Sequence, residues 1–350
     1  MGEMKILITG NMGYVGPSVV RQLRQTRPEA QLIGYDTGYF ASALTSVEPL
    51  PERELTAQYF GDVRAMPASV LSGVDAVIHL AAISNDPMGK AFEEVTLDVN
   101  HKASVAIARM AKKAGAKAFV FASSCSVYGF AEDGARTEDS SLNPLTAYAR
   151  SKVATENDLK NLADAHYTIS CLRFATACGM SPRLRLDLVL NDFVASALAL
   201  KRINILSDGS PWRPLIDTQD MARAMDWAIS RPHAQGGEFL IVNVGSDPWN
   251  YQVKDLAVAV QQAMPGVEVS INKDAAPDKR SYKVDFSLFR KLAPEHQPLS
   301  DLAGTVSELK AGLEAIGFAD AHFRESRLIR LKILNNLKNA GKVGDDLYWK

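Results

Sequence analysis

The chain has 350 residues, 47% of them hydrophobic, with 39 basic and 40 acidic side chains. That length allows a large core and suggests two domains, or one with a large extension; the net charge of −1 offers no field of one sign to gather nucleic acid or an anionic membrane. Cys125, Cys171 and Cys178 lack the paired spacing of a disulfide framework or a zinc site, and no signal-type or membrane-spanning apolar stretch stands out, so no metal is expected and a reducing, cytoplasmic setting is.

In chain order, apolar runs suited to strands fall at Lys5–Thr9, Leu32–Tyr35, Ala57–Phe60, Ala76–Leu80, Ala118–Ala122 and Thr168–Arg173. Most gaps between them are long enough for a crossover helix, which predicts an α/β fold built on a Rossmann-type, doubly wound parallel sheet. Phe239–Val244 reads as a further strand returning late. Residues 181–213 lack such alternation, and helical stretches are expected at Val253–Met264, Asp301–Ile316 and Arg324–Asn339, with "APDKRSYKVD" as a polar loop or short strand between the first two. The expected division is a cofactor-binding domain over 1–175, with a strand and helix returning at about 214–245. A smaller mixed α/β substrate domain with the C-terminal helices takes 176–213 and 246–350.

"LITGNMGYVG" sets Gly10, Gly13 and Gly16 directly after the first strand. Glycines there tighten the turn and let backbone N–H groups approach a pyrophosphate at a helix N-terminus. The pattern alone is weak. Asp36 strengthens it, because it ends the second strand about 20 residues further on, where a carboxylate accepts from the adenosine ribose and repels a 2′-phosphate. NAD is therefore expected over NADP. Asp62, in "YFGDV", is placed to meet the adenine edge or simply to cap a turn.

At the end of the fifth strand "VFASSCSVYG" presents Ser123, Ser124 and Ser126, and "AYARSK" follows about 20 residues later on a helix expected to start near Asn143-Pro144. Tyr148 and Lys152 stand four apart and share a helical face. A phenol is a poor base at neutral pH, but a neighbouring ammonium favours the phenolate. Tyr148 is the candidate general base, Lys152 its partner and a ribose ligand, and Ser124 the donor to the reacting oxygen.

The glycine loop, "HLAAIS" at 79–84, "SSCSVYG", "YARSK" and "RPLIDTQDMARA" at 213–224 together resemble the extended short-chain dehydrogenase/reductase family, especially its nucleotide-sugar epimerases and dehydratases. The resemblance covers roughly 4–290. It implies catalytic roles for Ser124, Tyr148 and Lys152 with assistance from Ser126, and NAD contacts at Tyr14, Val15, Val63, Leu80, Ala81, Ala82 and Asn100. For a nucleotide-diphosphate sugar it implies Ser84, Thr176, Asn191, Arg213 and Arg280, with arginine forks matching phosphate oxygens. Thr176 replaces the family's usual asparagine, and the basic stretch "GMSPRLRLD" offers Arg183 or Arg185 for part of its role. His79 is expected to be structural or beside the cofactor, and Cys125 a packed residue. The helices around Asn100–Lys113 and Ala147–Ala163 match the pair through which the family forms homodimers.

The expected function is an NAD-dependent epimerisation of the nucleotide-diphosphate sugar at C4 through a transient 4-keto sugar. A 4-keto reductase, a 4,6-dehydratase and a non-catalytic dinucleotide-binding protein stay open.

Overall fold

Short runs of Val, Ile, Leu and Phe form the inner strands of the central sheet, buried on both faces as a sheet covered by helices on each side demands. The computed structural model describes residues 3–46, 49–272, 274–275 and 281–350, and Arg280 lies outside them. Its central sheet joins β1 (Lys5–Thr9), β2 (Gln31–Asp36), β3 (Ala57–Phe60), β4 (Ala76–His79), β5 (Ala118–Ser124), β6 (Thr168–Phe174) and β7 (Phe239–Val244). All are parallel, in the order β7-β6-β5-β4-β1-β2-β3. β1 pairs with both β2 and β4, Ile6 facing Leu32 on one side and Ala76 on the other. The strand order reverses around β1 and β4, and a crevice opens there at their carboxyl ends.

Alternation along β1 divides the core. Ile6 and Ile8 pack with Val19, Val20 and Leu23 of helix α1 (Gly16–Thr26), while Leu7 packs on the other face with Ile107 of α2 (Ser104–Lys113) and Phe119. The late helix α5 (Thr218–Ala228) docks beside α1, where Ser18 Oγ donates to Thr218 Oγ1 at 3.0 Å and Arg27 pairs with Asp226 at 2.8 Å.

A third apolar cluster lies outside the sheet. It brings together α4 (Val189–Leu200), α6 (Val253–Ala263) and α7 (Leu302–Ala315) around Leu190, Val194, Leu256, Val260 and Leu309. Three small sheets serve this part: Thr176–Cys178 with Trp212–Asp217 and Asn250–Gln252, Arg202–Ile205 with Glu268–Ile271, and Phe130–Arg136 with Ser281–Val284. The region 181–213 thus holds a regular helix and strands that its sequence did not announce.

Two expectations about the C-terminal end need correction. The last helix begins at Arg330 rather than Arg324, preceded by a short 3-10 turn at Phe323–Glu325. Leu334, Val343 and Leu347 pack into the cluster formed with β2 and β4, so the end of the chain sits on the cofactor-side core and not in the substrate part.

Candidate active site

Construction of the site starts at the turn after β1. Gly10 has φ +73°, and a Cβ there would lie 2.6 Å from the Ala81 nitrogen; one at Gly16 would lie 2.0 Å from the Asn11 carbonyl oxygen. Side chains are excluded at both, so backbone runs against backbone and the start of α1 faces an open cleft. Gly13, with its N–H on Gly10 O at 3.0 Å, closes the turn.

This cleft, of about 1080 Å³, is lined by Gly10, Gly13, Tyr14, Val15 and Gly16 from the loop, by Asp36, Asp62 and Val63 beyond β2 and β3, and by Leu80, Ala81, Ala82 and Ser84 beyond β4. Ser124, Ser126, Tyr148, Lys152, Thr176 and Arg213 line its other end. Residues expected to bind cofactor, catalyse and bind substrate therefore share one crevice.

At the cofactor end both carboxylate oxygens of Asp36 accept backbone N–H groups, from Met12 at 3.0 Å and Gly38 at 2.8 Å. Burial raises its pKa while those two bonds pull it back. Asp62 caps the turn Val63–Ala65 by accepting from Arg64 N at 2.8 Å and grips the Arg64 guanidinium at 2.6 Å. The capping alternative is thus realised at the cleft wall. His79 is wholly buried between Thr9 Oγ1 at 2.7 Å and Ser104 Oγ at 2.8 Å, and burial holds it neutral with a pKa near 3.

Helix α3 (Ala147–Lys160) starts later than expected, because Thr146 is its N-cap, accepting from Ala149 N at 3.1 Å. The cap bond satisfies one of the free N–H groups at the start of the helix. From α3, Tyr148, Lys152 and Glu156 project toward the end of β5. Lys152 Nζ donates to Ala122 O at 2.7 Å and lies 4.6 Å from the Phe121 ring centre and 5.4 Å from that of Tyr148. Burial lowers its pKa to about 7, opposed by Glu156. Burial likewise raises Tyr148 to about 12, and a hydrogen bond with Ser124 opposes the rise.

The serines divide their work. Ser123 donates to Glu156 at 2.5 Å, and Glu156 forms a buried ion pair with Arg173 at 2.7 Å, so the Ser123 hydroxyl is committed to that pair. Ser124 accepts from Ser126 N at 3.1 Å and meets Tyr148. Ser126 Oγ is buried with no partner among the described residues, although a buried hydroxyl ordinarily has one. With the side-chain-free turn at Gly10, that unsatisfied hydroxyl fits a site shaped for a bound dinucleotide and a polar substrate. The Cys125 thiol is buried against Arg173 O at 3.1 Å, and burial raises its pKa, which makes it unreactive.

Two expected ligand contacts lie elsewhere. Asn100 is fully buried in a π-helical turn, Asp98–Ala103; it accepts from Ile83 N at 2.8 Å and donates to Ile83 O at 3.0 Å and Ser151 Oγ at 3.2 Å. Its amide is used up tying the Leu80–Ser84 loop to α3, and it does not line the cleft. Asn191 is equally buried, accepting from Gly179 N at 3.2 Å and donating to Tyr14 OH and Arg185 O, both at 2.9 Å. It braces the glycine loop instead of reaching a substrate. Tyr14 completes that brace with a 2.6 Å bond to Gly179 O.

Of the two arginines in "SPRLRLD", Arg183 turns away to Glu52 at 2.7 Å. Arg185 lines the cleft, donating to Ser84 Oγ at 2.8 Å and clasping Asp187 with two bonds of 2.9 Å. Arg213 donates to Trp212 O at 2.9 Å. Sequence reasoning missed Tyr39, Arg64, Arg330 and Leu347, all cleft-lining; no motif marks them, since the contacts that place them cross most of the chain.

Comparison with known proteins agrees with this architecture. A protein of Bacillus subtilis (strain 168) described as an uncharacterized UDP-glucose epimerase, YtcB, is 30% identical over 251 residues, 69% of this chain and 77% of its own length. The dTDP-glucose 4,6-dehydratase of Streptomyces griseus is 27% identical over 314 residues, 86% and 93% of the two chains. Among solved structures, a UDP-glucuronic acid 4-epimerase from Bacillus cereus, in complex with UDP-glucuronic acid and NAD, superposes with a TM-score of 0.75 at 21% identity, covering 89% of this chain and all of the other. Residues 6–245 match the sequence profile of the NAD dependent epimerase/dehydratase family; with the glycine loop, Asp36 and the Tyr148–Lys152 pair in one cleft, the chain belongs to that family and NAD is its cofactor.

Proposed function

We propose that this enzyme epimerises a nucleotide-diphosphate sugar at C4 through a transient 4-keto sugar. The observation that carries the reading is the chemistry beside Tyr148. Ser124, Cys125 and Ser126 follow one another there, and the Asp-Glu pair that dehydratases of the resembling family place directly after their catalytic hydroxyl is replaced by a thiol and a hydroxyl. Neither can act as a carboxylic acid at C6.

Bound NAD would supply a hydride acceptor that later returns the hydride. Everything else falls to the chain. Ser124 would orient the sugar hydroxyl, and Tyr148 would take its proton, with the neighbouring Lys152 ammonium lowering the pKa of the phenol. Lys152 would exchange its bond to Ala122 O for ribose hydroxyls. Ser126, whose hydroxyl has no partner among the described residues, is assigned to the sugar, and Ser84 and Thr176 to its neighbouring edge. Arg213 is assigned to the diphosphate and Arg280, which lies outside the described residues, to the nucleotide. The part of the chain at 176–213 and 246–329 would form the substrate side. Light scattering tests the homodimer proposed through α2 and α3; a monomer at working concentration rejects it.

A second reading has its own support. The Streptomyces relative is named a 4,6-dehydratase, and Asp86 lies near enough to Tyr148 to affect its charge. Against it, Asp86 accepts from Thr146 Oγ1 at 2.8 Å, and Asp187, the next carboxylate along the wall, is held by Arg185. Incubating NAD-loaded protein with UDP- and dTDP-hexoses deuterated at C4 decides between them. Epimerisation retains deuterium at C4 with no lasting NADH absorbance; deuterium at C6 shows dehydration, and stoichiometric NADH consumption with a 4-keto sugar shows a reductase.

A further inference from the structure

The end of the chain closes on itself before it touches anything else. Gly344 N donates to Tyr348 O at 2.9 Å, Lys350 N to Lys342 O at 3.0 Å, and Tyr348 N to the Asp346 carboxylate at 3.0 Å. Leu347, at the tip of this hairpin, has φ +61° and no exposed surface. A left-handed leucine persists only where its surroundings over-determine it. Here Leu347 packs into the apolar cluster behind the cleft and, with Asp36 and Asp62, lines it.

The hairpin is fastened to both segments that frame that end. After β2, Thr37 O accepts from Trp349 Nε1 at 2.8 Å, Tyr39 OH donates to Leu347 O, and the Tyr39 and Trp349 rings lie 5.5 Å apart. After β3, Arg64 Nη1 donates to Asp346 O at 2.8 Å while its guanidinium lies 3.7 Å over the Tyr348 ring. Arg64 is in turn gripped by Asp62, with Nε to Oδ1 at 2.9 Å and Nη2 to Oδ2 at 2.6 Å. One guanidinium thus joins the adenine-side turn to the end of the chain.

We infer that residues 342–350 are part of the cofactor site, a roof over the adenosine half of NAD that Arg64 latches and that must lift before NAD leaves. In this fold the adenosine lies at the carboxyl ends of β2 and β3, beside Asp36, which is where the hairpin sits. Its closure by internal hydrogen bonds lets it move as a unit, and its outer rings are accessible, Tyr348 being 39% and Trp349 46% exposed. A resident cofactor also suits a reaction that returns its hydride, since no exchange is needed between turnovers.

The test uses the full-length Tyr348→Ala/Trp349→Ala double variant, which spares the buried Leu347, together with Arg64→Ala. NAD dissociation is followed by stopped-flow displacement, and thermal midpoints are measured with and without NAD. Both proteins should release NAD at least tenfold faster than wild type. The midpoint without NAD should change little while the rise caused by saturating NAD shrinks, because stabilisation by a ligand follows its affinity. A wild-type dissociation rate in the folded double variant overturns the inference, and so does an equal fall in both midpoints, which would mark the hairpin as ordinary packing.

Discussion

Replacing Lys152 by Met should stabilise the cofactor-free protein at neutral pH while abolishing turnover. Lys152 is 3% exposed, and burial takes its pKa from 10.5 to about 7, with Glu156 acting in the opposite direction. The unfolded chain binds a proton below about pH 10.5, whereas the folded chain binds it only below about 7. Between those values the unfolded state holds the extra proton, so wild-type stability rises with pH by about 1.4 kcal/mol per unit. The penalty is full below pH 7 and gone above 10.5; it amounts to roughly 4 kcal/mol at pH 7 and about 2 kcal/mol at pH 9. Methionine of similar length removes it, less about 1 kcal/mol for the lost bond to Ala122 O, a loss common to both pH values. The stability advantage of Lys152→Met should therefore shrink by about 2 kcal/mol between pH 7 and pH 9, read from urea unfolding by linear extrapolation. An advantage of the same size at both pH values would refute the burial argument and leave Lys152 an ordinary surface-type amine.

Three further outcomes are expected. Tyr148→Phe should lower kcat about a hundredfold or more while NAD affinity by calorimetry stays near wild type; near-normal turnover would remove Tyr148 as the base. Asp36→Ala should weaken NAD binding and narrow the preference over NADP, and a wild type that binds NADP more tightly would reverse the assignment made to this carboxylate. Arg213→Ala should raise the KM for the nucleotide sugar by tenfold or more, since a lost charge-assisted pair costs on the order of 2 kcal/mol, with NAD affinity unchanged; an unaltered KM would make Arg213 a wall residue only.

How the site is assembled explains which parts of it could be read in advance. Asn100 and Asn191 look like ligand-binding amides in a linear reading, because each falls in a segment that borders the cleft. Burial decides otherwise: an amide with no exposed surface must find partners inside the protein, and Ile83, Ser151, Gly179 and Tyr14 provide them. Arg183 and Arg185 are two residues apart and chemically identical, yet Glu52 claims the first and the cleft wall the second.

What the sequence alone determined is what rests on local chemistry. Apolar runs between turn residues marked all seven central strands: the inner ones are buried on both faces and have no polar alternation to hide them, and even the edge strand β3 carries the aromatic Tyr59 and Phe60, though both are exposed. Spacing alone placed Gly10, Gly13 and Gly16 after β1, Asp36 at the end of β2, and Tyr148 with Lys152 on one face of α3. Tertiary structure decided everything that depends on which distant groups meet. Glu156 and Arg173 form their pair behind Ser123 only because α3 packs across β5 and β6. The Arg64–Asp346 contact spans 282 positions and joins two segments of no recognisable motif; no local propensity encodes it, since the energy that holds it exists only once the chain has closed around its core.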